Sequence, residues 1–174
     1  GIFANQGVRV QPESITRIED RYGNVIYKSS PKRSEIISKA TAYIMTNLLE
    51  SVVNKGTGGR LRWKFSFTKP AAGKTGTTND FTDAWFVGFT PALTAGIWVG
   101  LDDPQLSLGR GESGAIAALP IWADFINRVY EYLEIADVNF KQPADVIQLQ
   151  VCEDSGGLAN DYCPKILDEV FNVK

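Results

Sequence analysis

The chain has 174 residues, 44% hydrophobic and 22% charged, which suits one packed domain or a large piece of one and argues against disorder. Lys plus Arg number 18 against 20 Asp plus Glu, a net charge of -2, so no long-range field draws in nucleic acid or an anionic membrane. No apolar run reaches the roughly 18 residues of a membrane helix and no signal-peptide pattern opens the chain, while the absence of histidine excludes Ser-His, Cys-His and His-ligated metal chemistry within it.

Gly1 to Gln6 reads as the last turn of a helix, with Gly7 in the left-handed stop position. Val8 to Val10 is a short extended stretch ended by Pro12. Ser14 to Glu19 partly alternates and Val25 to Tyr27 follows a turn-like segment, which predicts a β-hairpin. Ser38 is a natural N-cap for Lys39 to Asn54, where Ile44, Leu48 and Val52 recur with Met45, Leu49 and Val53 beside them. That spacing predicts an amphipathic helix with this stripe inward, stopped by Gly56 and followed by a glycine-rich loop, Thr57 to Arg60.

Three candidate strands come next: Ala72 to Thr77, Ala84 to Thr90, and Leu93 to Leu101. The short connection between the last two predicts antiparallel pairing. A loop from Asp102 to Gly114 leads to an apolar segment, Ala115 to Leu133. Pro120 fits a first helical turn, so the helix proper is expected near Leu119, with Trp122, Phe125, Ile126 and Val129 as its core stripe. From Glu134 onward glycine, asparagine, proline and the cysteines suggest a separate appendage. Hairpin, helix, antiparallel strands and helix make an α+β class. Trp85, Phe86, Phe89, Trp98, Trp122 and Phe125 imply a sheet packed by helices on both faces.

Several short motifs fail on context. Gly73-Lys74-Thr75 lacks the earlier glycine of a phosphate-binding loop, since Thr68 stands there, and no helix pattern follows. Gly109 to Gly114 spells G-x-G-x-x-G, but Asp102 to Leu108 separate it from the preceding strand. Gly111 to Ala115 is nearly a nucleophile elbow, with no histidine to act as base. Cys152 and Cys163 are too few for a zinc cluster, and two free thiols or one disulfide remain open readings.

The segment around Lys74 is different. Ala71-Ala72-Gly73-Lys74-Thr75-Gly76-Thr77-Thr78 alternates a cation and hydroxyls around a glycine. In a strand, Lys74 and Gly76 share one face and Thr75 and Thr77 the other. Gly76 would admit a second backbone at a sheet edge, and the lysine and hydroxyls could bind a carboxylate. The bare Lys-Thr-Gly tripeptide equally suits an ordinary polar strand with a glycine defect.

Context decides between these. Lys74 to Asp80 followed by Asp83 to Pro91 closely resembles bifunctional (class A) penicillin-binding proteins. So do Phe3 to Val8, the helix ending before Lys55-Gly56-Thr57-Gly58, and Gly109 to Gly114, in family order as far as about Phe125. The tail is less specific, although Gly157-Leu158-Ala159 and Cys163-Pro164 share the look.

Such proteins and serine β-lactamases share S-x-x-K, S-x-N and K-T-G. Ser29 to Lys32 and Ser66 to Lys69 spell the first, but neither opens a helix and both lie too near Lys74 for the family's order. No S-x-N occurs. The nucleophile and its lysine are therefore expected upstream of Gly1, with no catalytic residue on this chain.

The resemblance implies the C-terminal part of a transpeptidase fold in residues 1–133, an antiparallel sheet packed with helices, and a small appendage in 134–174. It implies acyl transfer on the D-Ala-D-Ala end of peptidoglycan stem peptides, inhibition by β-lactams, an extracytoplasmic site, an upstream membrane anchor, and no cofactor or metal. Lys74 would support the site's electrostatics, Thr75 and Thr77 bind the substrate carboxylate, Gly76 admit the substrate backbone, and the Thr77 amide donate to an oxyanion. It also favours a Cys152–Cys163 disulfide. The alternative from another class is a non-catalytic module that binds peptide carboxylates.

Overall fold

A computed structural model describes residues 1–173. The N-terminal residues form a helical turn, with the Gly7 amide bonded to the Ile2 carbonyl and Gly7 at φ 92°. Strand β1 (Val8–Val10) is followed by β2 (Arg17–Glu19), β3 (Val25–Lys28) and β4 (Arg33–Glu35). The expected hairpin is β2 with β3. The chain then returns so that β4 pairs antiparallel with β1, a closure that three-residue strands are too short to announce in sequence.

Helix α1 (Lys39–Asn54) begins where Ser38 accepts a hydrogen bond from the Thr41 amide, 3.1 Å. Its buried face corrects the expectation. Ala42, Thr46 and Val53 are buried, whereas Met45 and Leu48 are exposed. Small side chains let this helix lie close along a strand, and the larger apolar residues turn away from it. A single turn, α2 (Arg60–Trp63), replaces the end of the expected loop and buries Leu61.

The central sheet has the order β5 (Ala72–Thr77), β6 (Asp83–Phe89), β7 (Thr94–Gly100), all antiparallel, with α1 packed along β5. Side chains alternate across it. On one face Ala84 and Phe86 are buried, and Phe86 meets α3 (Leu119–Tyr132), which is preceded by a π-helical turn, Gly114–Ala118. Trp122 sits at the centre, edge-on to Phe86 with ring centroids 5.2 Å apart, and its indole N–H donates to the Ala95 carbonyl at 3.1 Å. Val53, Leu61, Phe67, Leu119 and Ile126 complete this core. Each fully buried side chain of this kind contributes about 1.5–3 kcal/mol. Buried Thr90 is partnered too: its hydroxyl accepts from Tyr130 at 2.7 Å, and the Leu93 and Ala92 amides share its other lone pair at 3.1 and 3.3 Å, which holds the β6–β7 turn.

Helices on both faces were expected, with part of that cover coming from elements that precede Gly1, and among the described residues the face opposite α3 is largely open. Trp85, Val87 and Trp98 are 44%, 48% and 47% exposed on the opposite face, and Phe125 points outward from α3. Residues 134–173 contain a hairpin not foreseen in sequence, β8 (Val146–Cys152) with β9 (Ile166–Asn172), and β9 lies against α1. Among the described residues no helix is long and apolar enough to cross a membrane.

Candidate functional site

Strand β5 is one of the two edge strands of the central sheet among the described residues, β7 being the other. The Thr78 amide donates to the Asp83 carbonyl at 3.1 Å, one position beyond the last β5–β6 register pair, while the Asp83 amide turns to Thr78 Oγ1 at 2.8 Å. Alternation from the Thr78 amide bond turns the N–H and C=O of Gly76 and Lys74 toward β6, and those of Thr75 and Thr77 outward. The Lys74 ammonium uses this edge, donating to the Thr75 carbonyl at 2.8 Å. The cation and the threonines leave β5 on opposite faces, yet they converge at its rim, where Lys74 Nζ lies 3.5 Å from Thr75 Oγ1.

Two other segments hold the hydroxyls. Thr57 Oγ1, in the turn after α1, lies 2.9 Å from Thr75 Oγ1. The Gly114 amide donates to Thr77 Oγ1 at 3.1 Å. Neither partner was assigned a role from sequence, because they stand 18 and 37 positions from the threonines they touch. The only available signal was that both lie in glycine-rich stretches carrying the family resemblance.

Around the β5 edge, glycine is required at Gly114 and favoured at Gly76. A Cβ on Gly114 would lie 2.1 Å from the Trp85 carbonyl oxygen and 2.6 Å from that of Gly76, so the loop rests directly on the strand backbone. A Cβ on Gly76 would lie 3.2 Å from that of Trp85, tight enough to press on the neighbouring strand. The G-x-G-x-x-G letters of Gly109 to Gly114 thus serve a loop that packs against β5.

The approach to β5 is fixed by a half-buried cation. Arg62 donates to Asn54 Oδ1 at 2.8 Å and to the Phe67 and Lys69 carbonyls at 2.7 and 2.8 Å, tying α1 and α2 to the segment that enters β5. Burial pushes the Arg62 pKa down and the Glu50 charge opposes that shift. Burial raises the Glu50 carboxyl, with Arg62 pulling the other way, and Tyr43 is raised by burial and then by Glu50.

Residues 1–125 match the family model described as penicillin binding protein transpeptidase domain, and residues 142–173 match the C-terminal domain of penicillin-binding protein 1A. The chain belongs to the penicillin-binding protein transpeptidase family. Penicillin-binding protein 1A of Aquifex aeolicus is 37% identical over 162 residues, covering 93% of this chain and 22% of that protein. The chain therefore spans about a fifth of the length of such a relative.

The crystal structure of penicillin-binding protein 1A from Haemophilus influenzae, 23% identical, covers 98% of this chain and 30% of that one, with a TM-score of 0.86, and shows the shared fold. PonA1 from Mycobacterium tuberculosis, solved in complex with penicillin V, is 25% identical over 82% of this chain and 38% of its own, with a TM-score of 0.62. The penicillin-binding protein fold expected from sequence is present.

Cys152 and Cys163 carry no bond between them in the structure. They are in side-chain contact: a hydrogen bond from Cys163, followed by Ser155, holds the Cys152 thiol below its usual pKa. For Cys163 the Asn160 amide lowers the thiol, but Cys152, burial and the Asp154 charge leave it raised.

Proposed function

We propose that this chain supplies the substrate-binding edge of a serine D,D-transpeptidase that cross-links peptidoglycan stem peptides. One observation carries the reading: in a chain of this family, an open strand edge carries an ammonium, two oriented hydroxyls and an outward amide within three residues of Lys74. A serine upstream of Gly1 attacks the carbonyl of the penultimate D-alanine, and the negative charge that develops on its oxygen is held by the Thr77 amide. Loss of one such donor typically costs about 10²–10³ in rate. The terminal D-alanine leaves with the proton returned to its nitrogen, and the amine of a neighbouring stem then attacks the acyl-serine ester to form the cross-link.

Thr75 and Thr77 donate hydrogen bonds to the terminal carboxylate, and Lys74 supplies positive charge beside it. Gly76 leaves room for the substrate backbone to lie along β5. β-Lactams occupy the same edge and acylate the same serine. No cofactor or metal enters this scheme. The protein works outside the cytoplasm, anchored by an upstream membrane helix, and an oxidising setting there would join Cys152 to Cys163.

Fluorescent penicillin tests the reading. The full-length protein should be labelled covalently on a serine upstream of Gly1, and the 174-residue chain alone should take up no label. Label on this chain, or none on the full-length protein, would refute it.

A further inference from the structure

We infer that Thr57 is a positioning residue that makes the Thr75 hydroxyl a hydrogen-bond donor toward an anionic ligand. This rests on the carboxylate-binding reading of β5. A threonine hydroxyl has one proton to give and two lone pairs to receive with. In the 2.9 Å contact between Thr57 and Thr75 either oxygen can donate while the edge is empty. A bound carboxylate removes that freedom, because it can only accept. Thr75 must then give it its one proton, and Thr57 must be the donor to Thr75.

The neighbouring hydroxyl has the same arrangement without ambiguity. Thr77 Oγ1 accepts from the Gly114 amide, which can only donate, so the Thr77 proton is left for a ligand. With an anion bound, both hydroxyls of the strand would thus receive a hydrogen bond from a separate segment, and each would give its own proton to the anion. Hydrogen bonds aligned in this way polarise one another, so the donor behind Thr75 strengthens the bond it makes forward.

Thr57 is held firmly enough for the task. The Gly56 and Gly58 amides donate to the Val52 carbonyl at 3.1 and 3.0 Å, and the Gly59 amide to the Gly56 carbonyl at 2.9 Å, which folds this turn back onto the end of α1. Helix α1 itself lies along β5, so the Thr57 hydroxyl reaches the strand from a packed element. Thr57 is exposed, and replacing its hydroxyl by a methyl in Thr57→Val opens no cavity.

The test compares acylation of the full-length protein by a penicillin and by the methyl ester of the same penicillin, which lacks the anionic charge. Thr57→Val should lower the second-order rate constant for the free acid about 2- to 10-fold, the range expected for one net hydrogen bond. The loss should appear in the apparent dissociation constant and not in the acylation rate at saturation. The ester should react at the wild-type rate, and Thr57→Ser should restore the free-acid rate. Equal losses on acid and ester, or no loss on the acid, would overturn the inference while leaving the transpeptidase reading in place. A wild-type protein that neither ligand acylates would overturn both.

Discussion

Adding one methyl group at Gly114 should misplace the proposed substrate-binding edge without unfolding the protein. The new Cβ would stand 2.1 Å from the Trp85 carbonyl oxygen and 2.6 Å from that of Gly76, and both obstacles are sheet backbone that cannot rotate away. Relief to an ordinary carbon–oxygen contact requires the loop or β5 to move by about 1 Å. Overpacking of this kind costs about 1–3 kcal/mol, and a misplacement of that size can cost about 10²-fold in rate. The same shift breaks the hydrogen bond from the Gly114 amide to Thr77. The assay is the second-order rate of acylation by fluorescent penicillin in the full-length Gly114→Ala protein, with melting followed in parallel. Gly96→Ala is the control, since its Cβ would meet only Val87 Cγ2 at an ordinary 3.6 Å. A Gly114→Ala protein that acylates within about twofold of wild type would show that the loop does not set the position of β5.

Glu50 gives a pH signature. Its folded-state pKa is raised by burial, so the ionised carboxylate costs stability above that raised value, and the cost vanishes as pH falls below the ordinary value of 4.5. Glu50→Gln should therefore be more stable than wild type at pH 7 in urea unfolding and lose that advantage near pH 4; an advantage constant with pH would refute the assignment. Thiol titration of the protein purified without reductant should find Cys152 and Cys163 bonded, and two reactive thiols after reduction; two thiols from the start would refute the disulfide. The open sheet face bearing Trp85, Val87 and Trp98 should drive the isolated 174-residue chain to self-associate in sedimentation, because monomers rarely leave apolar patches of more than a few hundred Å² uncovered. A well-folded monomer would mean that this face needs no cover.

The parts of the fold visible in sequence are those set by local rules. Alternation around Lys74 marked β5, the short connection marked β6 and β7, and Ser38 marked the start of α1. Partners distant in sequence were less visible. Hydrophobicity put Ile44 and Leu48 on the buried side of α1, whereas close approach to β5 selected the small Ala42 and Thr46. Alternation could separate the two faces of β6 but could not say that the Phe86 face would be the one to meet α3. At the candidate site, Lys74 to Thr77 stood out because chemistry and glycine were compressed into one strand. Thr57 and Gly114 did not, because a hydrogen bond to a hydroxyl on another element leaves no periodicity to read.

The central claim is that the outer edge of β5 receives the anionic end of an acyl donor. A crystal structure of the full-length protein acylated by penicillin tests it most directly. The Thr75 and Thr77 hydroxyls should lie about 2.7–3.0 Å from the ligand carboxylate, with the acyl oxygen at a similar distance from the Thr77 amide. A carboxylate bound away from β5, with Thr75 and Thr77 facing only solvent, would contradict it.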